Sequence, residues 1–352
     1  MLNWSHYFPI TDPTLIFFVV LCIILLAPIV MSRLRIPHII GMVLAGVVVG
    51  QYGLNILERD SSFELFGKVG LLYIMFLAGL EMNLTDIMKR RSKFLIFGFL
   101  TFFIPFAVAY FVGTWLLGYG ETGSLLFACI LSSNTLIAYP IVCKYGLQKH
   151  KAVALSVGSS MIALTLSLLI LAAIVGANGE GGGVTFWVLF AVKVVLFCAL
   201  MALVVPRLTR WFFRHYADSV MLYIYTMCVL FLSAAVSQIC GLEGIFGAFF
   251  AGLLLNRFIP SVSPLMNRLE FIGNALFIPY FLIGVGMLID VSSLFEGPHM
   301  LFIVTMIAFF GTFGKAVAAY LSSLLFRLPQ VAGRMMFGLT SAHAAGAIAM
   351  VL

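Results

Sequence analysis

Twelve apolar runs follow one another along this chain with only short polar connections between them. They cover residues 15–31, 37–50, 66–80, 95–117, 124–145, 152–175, 185–206, 219–239, 244–256, 269–289, 299–326 and 335–352. Runs of this kind belong in hydrocarbon, where each backbone N–H and C=O needs an internal partner and a bundle of helices supplies it. Charged residues make up only 9% of the 352, against about 25% in a soluble domain. The expected fold class is an all-α membrane protein, with one membrane domain over residues 1–352 and no soluble module. Leu15–Met31 is too long for a signal-peptide core and lacks a small-residue cleavage site. Ile36–Gly50 and Gly244–Asn256 fall short of the roughly 20 residues of a simple crossing and suit helices shielded inside the bundle.

The formal net charge is +7, which in a soluble protein would suggest a nucleic-acid partner. Its distribution says otherwise. Alternate connections collect Arg33 and Arg35; Lys89, Arg90, Arg91 and Lys93; Lys144, Lys149 and Lys151; Arg207, Arg210 and Arg214; Arg257 and Arg268; Arg327 and Arg334. The other connections hold only Arg59, with Glu58, Asp60, Glu121, Glu180, Asp290 and Glu296. The positive-inside rule makes the basic connections cytoplasmic and leaves the N-terminus outside. The surplus charge reads as topology rather than as a binding face, and no nucleic-acid partner is expected.

Little else suggests chemistry of an enzymatic kind. The six cysteines (Cys22, Cys129, Cys143, Cys198, Cys228 and Cys240) lie in or beside apolar runs without paired spacing, as small hydrophobes do. There is no P-loop, no glycine fingerprint after a strand, no zinc-ligand spacing and no nucleophile with a plausible base. No enzyme, metal site or cofactor is expected. The glycines of "GLEGIFGAFFAGLLL" fit close helix packing.

Two runs are interrupted by polar groups. The fifth, "ACILSSNTLIAYPIVCKYG", sets Ser132, Ser133, Asn134 and Thr135 in a row and follows them with Pro140. That proline removes a donor and frees the carbonyl of Leu136, so the helix should break there, its loose ends satisfied by hydroxyl and amide side chains or by water. The twelfth, "FGLTSAHAAGAIAMVL", carries Thr340, Ser341, His343 and Gly346. One such run in each half points to an inverted-repeat transporter; the plain alternative is small residues allowing close packing. Lys315 sits in the middle of the eleventh run, where an amine is costly and is functional by default, or else holds a broken helix together. Lys193 lies about nine residues into the seventh run, and its stem can reach an interface.

The motifs "IPHIIGMVLAGVVVG" (36–50), "GLLYIMFLAGLEMNL" (70–84), "SSNTLIAYPIV" (132–142), "GLEGIFGAFFAGLLLNR" (241–257), "FIPYFLIGVGMLID" (277–290), "GTFGKAVAAYL" (311–321) and "FGLTSAHAAGAIAM" (337–350) follow in an order and spacing that resembles the monovalent cation/proton antiporter superfamily. The resemblance lies with the branch of bacterial sodium/proton antiporters and glutathione-gated potassium efflux systems, and it covers essentially the whole chain. It implies an inverted-repeat antiporter fold in which two broken helices, here the fifth and twelfth spans, cross. About twelve of thirteen transmembrane segments are then expected, with the last helix and any cytoplasmic regulatory domain absent. It also implies a homodimer in lipid, in a bacterial-type plasma membrane.

By the same resemblance Asn134 and Thr135 fall in the unwound part of the first break and Lys315 on the mid-membrane lysine. Read from the residues themselves, Ser133 beside that break, Ser159, Ser160 and Thr165 on the sixth span and backbone carbonyls are further candidate cation ligands, and His343 at the second break is a candidate proton-handling group. The family's sixth span carries an Asp with a polar residue before it, and here that pair aligns with Ala163 and Leu164. No Asp or Glu lies in the central membrane, since Glu81, Glu243 and Glu270 fall near the ends of their runs. The implied activity is exchange of a monovalent cation, sodium or potassium, for protons by alternating access. With no acid at the crossing, Lys315 is the expected proton carrier and electroneutral exchange the expected mode. The alternatives are a non-transporting sensor or scaffold on the same fold, and a transporter of anionic solutes held by positive half-helix ends and Lys315.

Overall fold

The computed structural model describes residues 9–34, 38–81, 91–134, 138–147, 150–178, 184–242, 244–260, 262–291 and 298–341. Among these the regular structure is helical, and the only strand-like pairing is a single bridge between Ile10 and Leu57. The helices are α1 (Pro13–Arg33), α2 (His38–Val49), α3 (Ser61–Glu81), α4 (Arg91–Phe111), α5 (Glu121–Ser132), α6 (Tyr139–Lys144), α7 (Lys151–Asn178), α8 (Val184–His215), α9 (Ser219–Ile239) and α10 (Gly244–Leu255). They continue with α11 (Pro264–Met287), α12 (Pro298–Leu325) and α13 (Gln330–Thr340). Two widened π turns occur, at Val112–Leu116 after α4 and at Gly273–Phe277 within α11. Among the described residues, seven helices are long and apolar enough to cross a membrane.

Each predicted apolar run falls on a helix, and the fifth falls on two. Helix α5 stops at Ser132, Ser133 turns into extended backbone (φ −63°, ψ 147°), and helix resumes at Tyr139. In the twelfth run α13 ends at Thr340 with Ser341 as its cap; the expected second break lies beyond, outside the described residues. Several helices outrun their apolar segments. Helix α8 carries Arg207, Arg210 and Arg214 as helical residues instead of a loop, and α11 includes Arg268 and Glu270. Nothing breaks the helix at those charges; α9 begins where Asp218 caps it by accepting from the Met221 amide at 3.0 Å.

The chain divides into two compact units. The first comprises Met1–Ile74 and Asn267–Val304. There α2 and α11 meet at backbone contact: a Cβ on Gly46 would lie 2.2 Å from the Ile283 carbonyl oxygen, and one on Gly286 2.1 Å from that of Val43. Only glycine permits that approach, which gives two short apolar surfaces their full packing contact. Phe63, Phe66 and Tyr280 cluster beside it with centroids 5.0–5.2 Å apart, and the buried Tyr73 hydroxyl donates to the Leu269 carbonyl at 2.9 Å.

The second unit comprises Met75–Met266 and Thr305–Leu352. Its centre is α4 packed against α5 and α7, with α13 also against α7 and α9 against α10. Gly98 and Gly158 let α4 and α7 close on Ile162 and Phe94. Ala109, Ala128 and Leu131 form an apolar core between α4 and α5.

Candidate functional site

Pro105 lies inside α4. A proline has no N–H and leaves the carbonyl four residues earlier without its helical donor, and that carbonyl belongs to Thr101. The end of α5 leaves a second orphan, the carbonyl of Ser132, because the helix does not continue to supply an N–H. Both are buried in the second unit, where an unsatisfied carbonyl is costly.

Lys315 answers both. It is completely buried (0% exposed), and its ammonium donates to Thr101 O at 2.9 Å, to Ser132 O at 2.6 Å and to Asn134 Oδ1. An ammonium has three protons and no acceptor, so all three are used. The charge also sits at the C-terminal end of α5, where the helix dipole is negative. Gly314 makes the approach possible: a Cβ there would be 2.9 Å from Pro105 Cα, so α12 comes against α4 at the proline itself. Asn134 faces the ammonium with its amide oxygen and turns its amide nitrogen toward the Thr101 hydroxyl, 3.5 Å away.

A second set of hydroxyls ties the end of α5 to α7. Ser132 Oγ donates to Cys129 O at 3.0 Å and lies 3.2 Å from Ser167 Oγ, which is itself 3.2 Å from Cys129 O. The broken helix end is therefore held from two sides, by the amine of α12 and the hydroxyl of α7.

Of the predicted site residues, Lys315 and Asn134 come together. Ser133 is buried beside them but donates back to its own helix at Ile130 O, 2.8 Å. Ser159 likewise donates to Ser156 O at 2.9 Å. Ser160 Oγ is buried and, among the described residues, is the side-chain oxygen left without a hydrogen-bond partner. Thr135 and His343 lie outside the described residues, and of Thr165 only the helical backbone on α7 is described. Ala163 and Leu164 are buried and apolar. Among the described residues the only ion pair is Lys68–Glu64, at 2.8 Å and exposed, so no carboxylate answers Lys315. Lys193 is exposed on α8. No metal-binding cluster of His, Cys, Asp or Glu occurs among the described residues.

Thr101, Pro105, Ser132 and Ser167 were not among the predicted site residues. For Thr101 a signal existed, because Pro105 marks which carbonyl is free. For Ser132 the signal was the break itself, which orphans the carbonyl just before it.

Chemically, the site is a buried set of three oxygen acceptors around one ammonium. Two backbone carbonyls and an amide oxygen are what a dehydrated alkali cation also seeks, and the unpartnered Ser160 hydroxyl is one more buried oxygen on α7.

The family model for "Sodium/hydrogen exchanger, transmembrane" matches residues 20–352. The chain is 31% identical over 342 residues to the Na(+)/H(+) antiporter NhaS5 of Synechocystis sp., covering 96% of this chain and 49% of that protein. It is 29% identical over 375 residues to K(+)/H(+) antiporter 1 of Saccharomyces cerevisiae, covering 95% of this chain and 42% of the yeast protein. The chain thus spans about half the length of these curated relatives or less. In three dimensions it resembles the sodium proton antiporter MjNhaP1 from Methanocaldococcus jannaschii with a TM-score of 0.71 at 17% identity, over 97% of this chain and 85% of that one. The likeness shows that the all-helical architecture shares the fold of that antiporter.

Proposed function

Because this multi-pass membrane chain belongs to the sodium/hydrogen exchanger transmembrane family, we propose that it exchanges a monovalent cation, sodium or potassium, for a proton across the membrane. The observation that carries this reading is the Lys315 ammonium among Thr101 O, Ser132 O and Asn134 Oδ1. While the amine is protonated it occupies those oxygens. Once it gives up its proton it needs none of them, and a cation that sheds its water can use them instead. Proton and cation exclude each other without any carboxylate.

The charge balance follows directly. The site holds one positive charge when Lys315 is protonated and one when a cation sits beside the neutral amine. Each crossing therefore carries the same charge, and exchange is one-for-one and electroneutral. The apparent cation affinity falls as pH drops, by about tenfold per pH unit where the amine is protonated, because the two ligands compete for one site. Ser160 is a candidate further oxygen ligand, Thr135 remains a candidate on the family resemblance, and Thr165 and His343 remain candidates on the sequence. The basic connections support a plasma-membrane orientation with the N-terminus outside. A homodimer is the assembly the family resemblance implies.

Purified protein in proteoliposomes tests this. Sodium or potassium gradients should drive proton movement that does not respond to membrane potential, and Lys315→Met should abolish it. Unchanged exchange in Lys315→Met would remove the amine from the mechanism.

One observation favours a second reading. Ala163 and Leu164 are buried and apolar where the family resemblance places a polar residue followed by an Asp, as expected of a sensor or scaffold that kept the fold without transport. A folded protein that moves no sodium, potassium or proton under any gradient supports it. The anionic-solute reading is carried no further, since all three ammonium protons point at protein oxygens.

A further inference from the structure

Helix α8 (Val184–His215) has 32 residues, about 48 Å at 1.5 Å per residue, whereas the hydrocarbon layer is about 30 Å thick. One face of its C-terminal half is committed to α9. Val205 and Thr209 are buried, Thr209 Oγ1 lies 2.9 Å from the Tyr225 hydroxyl, and Phe212 stacks on Tyr225 at 4.4 Å.

At 3.6 residues per turn the opposite face reads Leu196, Leu200, Leu203, then Arg207, Arg210, Trp211 and Arg214. All of these are exposed. The stripe is apolar for two turns and basic for the next two, and the indole of Trp211 lies among the arginines, a combination suited to the membrane–water interface. Among the described residues no carboxylate pairs with the three guanidinium groups. Arg207 folds back on its own helix, donating to Leu203 O at 2.8 Å. His215 stacks on Trp211 at 5.0 Å and its Nδ1 lies 2.9 Å from the Trp211 carbonyl. Asp218 is taken up as the cap of α9. The stripe is backed by what packs behind it and carries three charges that no carboxylate among the described residues neutralises.

We propose that this stripe binds an anionic phospholipid, with an acyl chain along Leu196–Leu203 and the headgroup phosphate on Arg207, Arg210 and Arg214. Arginine is suited to the task because its planar fork takes phosphate oxygens in pairs. Arg207 and Arg214 are about 10 Å apart along the helix, within reach of one headgroup. The direct run from apolar to basic favours a lipid over a soluble anion, which would have no use for the leucines. This reading is independent of the ion and of whether exchange occurs.

The full chain in neutral detergent is titrated with phosphatidylglycerol or phosphatidylcholine and followed by native mass spectrometry and thermal unfolding. Phosphatidylglycerol should be retained and raise the unfolding midpoint, and phosphatidylcholine should not. R207Q/R210Q/R214Q should weaken phosphatidylglycerol binding by about tenfold or more, while R327Q/R334Q leaves it intact. Equal binding of both lipids, or full binding by the triple variant, overturns the proposal. Equal stabilisation by inorganic phosphate overturns it in favour of a soluble anion. Should the triple variant not fold, the wild-type protein decides: binding that survives a rise from about 0.1 M to about 0.5 M salt is not electrostatic and also overturns it.

Discussion

At the scale of the residue, Lys315 does two jobs that are separable by substitution. It satisfies Thr101 O, Ser132 O and Asn134 Oδ1, and it is the group whose proton the exchange reading uses. Lys315→Met keeps an unbranched stem one atom shorter but leaves three buried acceptors unmade, at about 1–3 kcal/mol each. We expect a thermal midpoint several degrees lower in detergent, along with lost exchange. Lys315→Arg keeps the charge, but its planar fork cannot meet three acceptors arranged around a point; we expect a folded protein without exchange. The amine and the amide were legible in the sequence, since one stood at mid-depth in an apolar run and the other in a polar break. Their partners were harder to see, because a carbonyl oxygen is present at every position and acquires a role only through the backbone around it.

At the scale of the element, the pairing of Pro105 with Gly314 decides whether the amine reaches its acceptors. Pro105→Ala restores an N–H able to bond Thr101 O within α4. The helix should gain regularity while Lys315 loses one acceptor, so we expect a protein at least as stable with weaker exchange. Gly314→Leu acts in the opposite manner, forcing side-chain volume against Pro105 Cα, which a Cβ alone would meet at 2.9 Å. We expect destabilisation of about 1–3 kcal/mol, read as a lowered unfolding midpoint. The apolar runs marked where helices lie, and the Ser132–Thr135 polar row marked the first break. Hydropathy misjudged where α8 ends, because arginine is a good helix former and the helix runs on through the basic residues to His215.

At the scale of the whole molecule, the notable absence is the acid. Leu164 is 3% exposed, on the helix that also carries Ser160 and Ser167. Leu164→Asp returns a carboxylate to the position that the family resemblance assigns to it. If the native chain couples through its lysine alone, the variant should bind cations more tightly and shift the pH range of exchange, measured in the same proteoliposomes. If the native chain does not transport, gain of exchange in the variant identifies what was lost. Membership of the family was legible from the order of seven motifs. No single motif would have sufficed, since glycine pairs and hydroxyl clusters serve packing as readily as ion handling.

Two of the three oxygens that grip the amine of α12 belong to the peptide chain itself. Mutation can exchange the letters at 101 and 132 without erasing those oxygens, so long as the proline and the helix end that expose them survive. That part of the grip is thus encoded in the course of the backbone, and point changes at 101 and 132 would leave it largely untouched while a change at Pro105, whose side chain has no polar atom, would not.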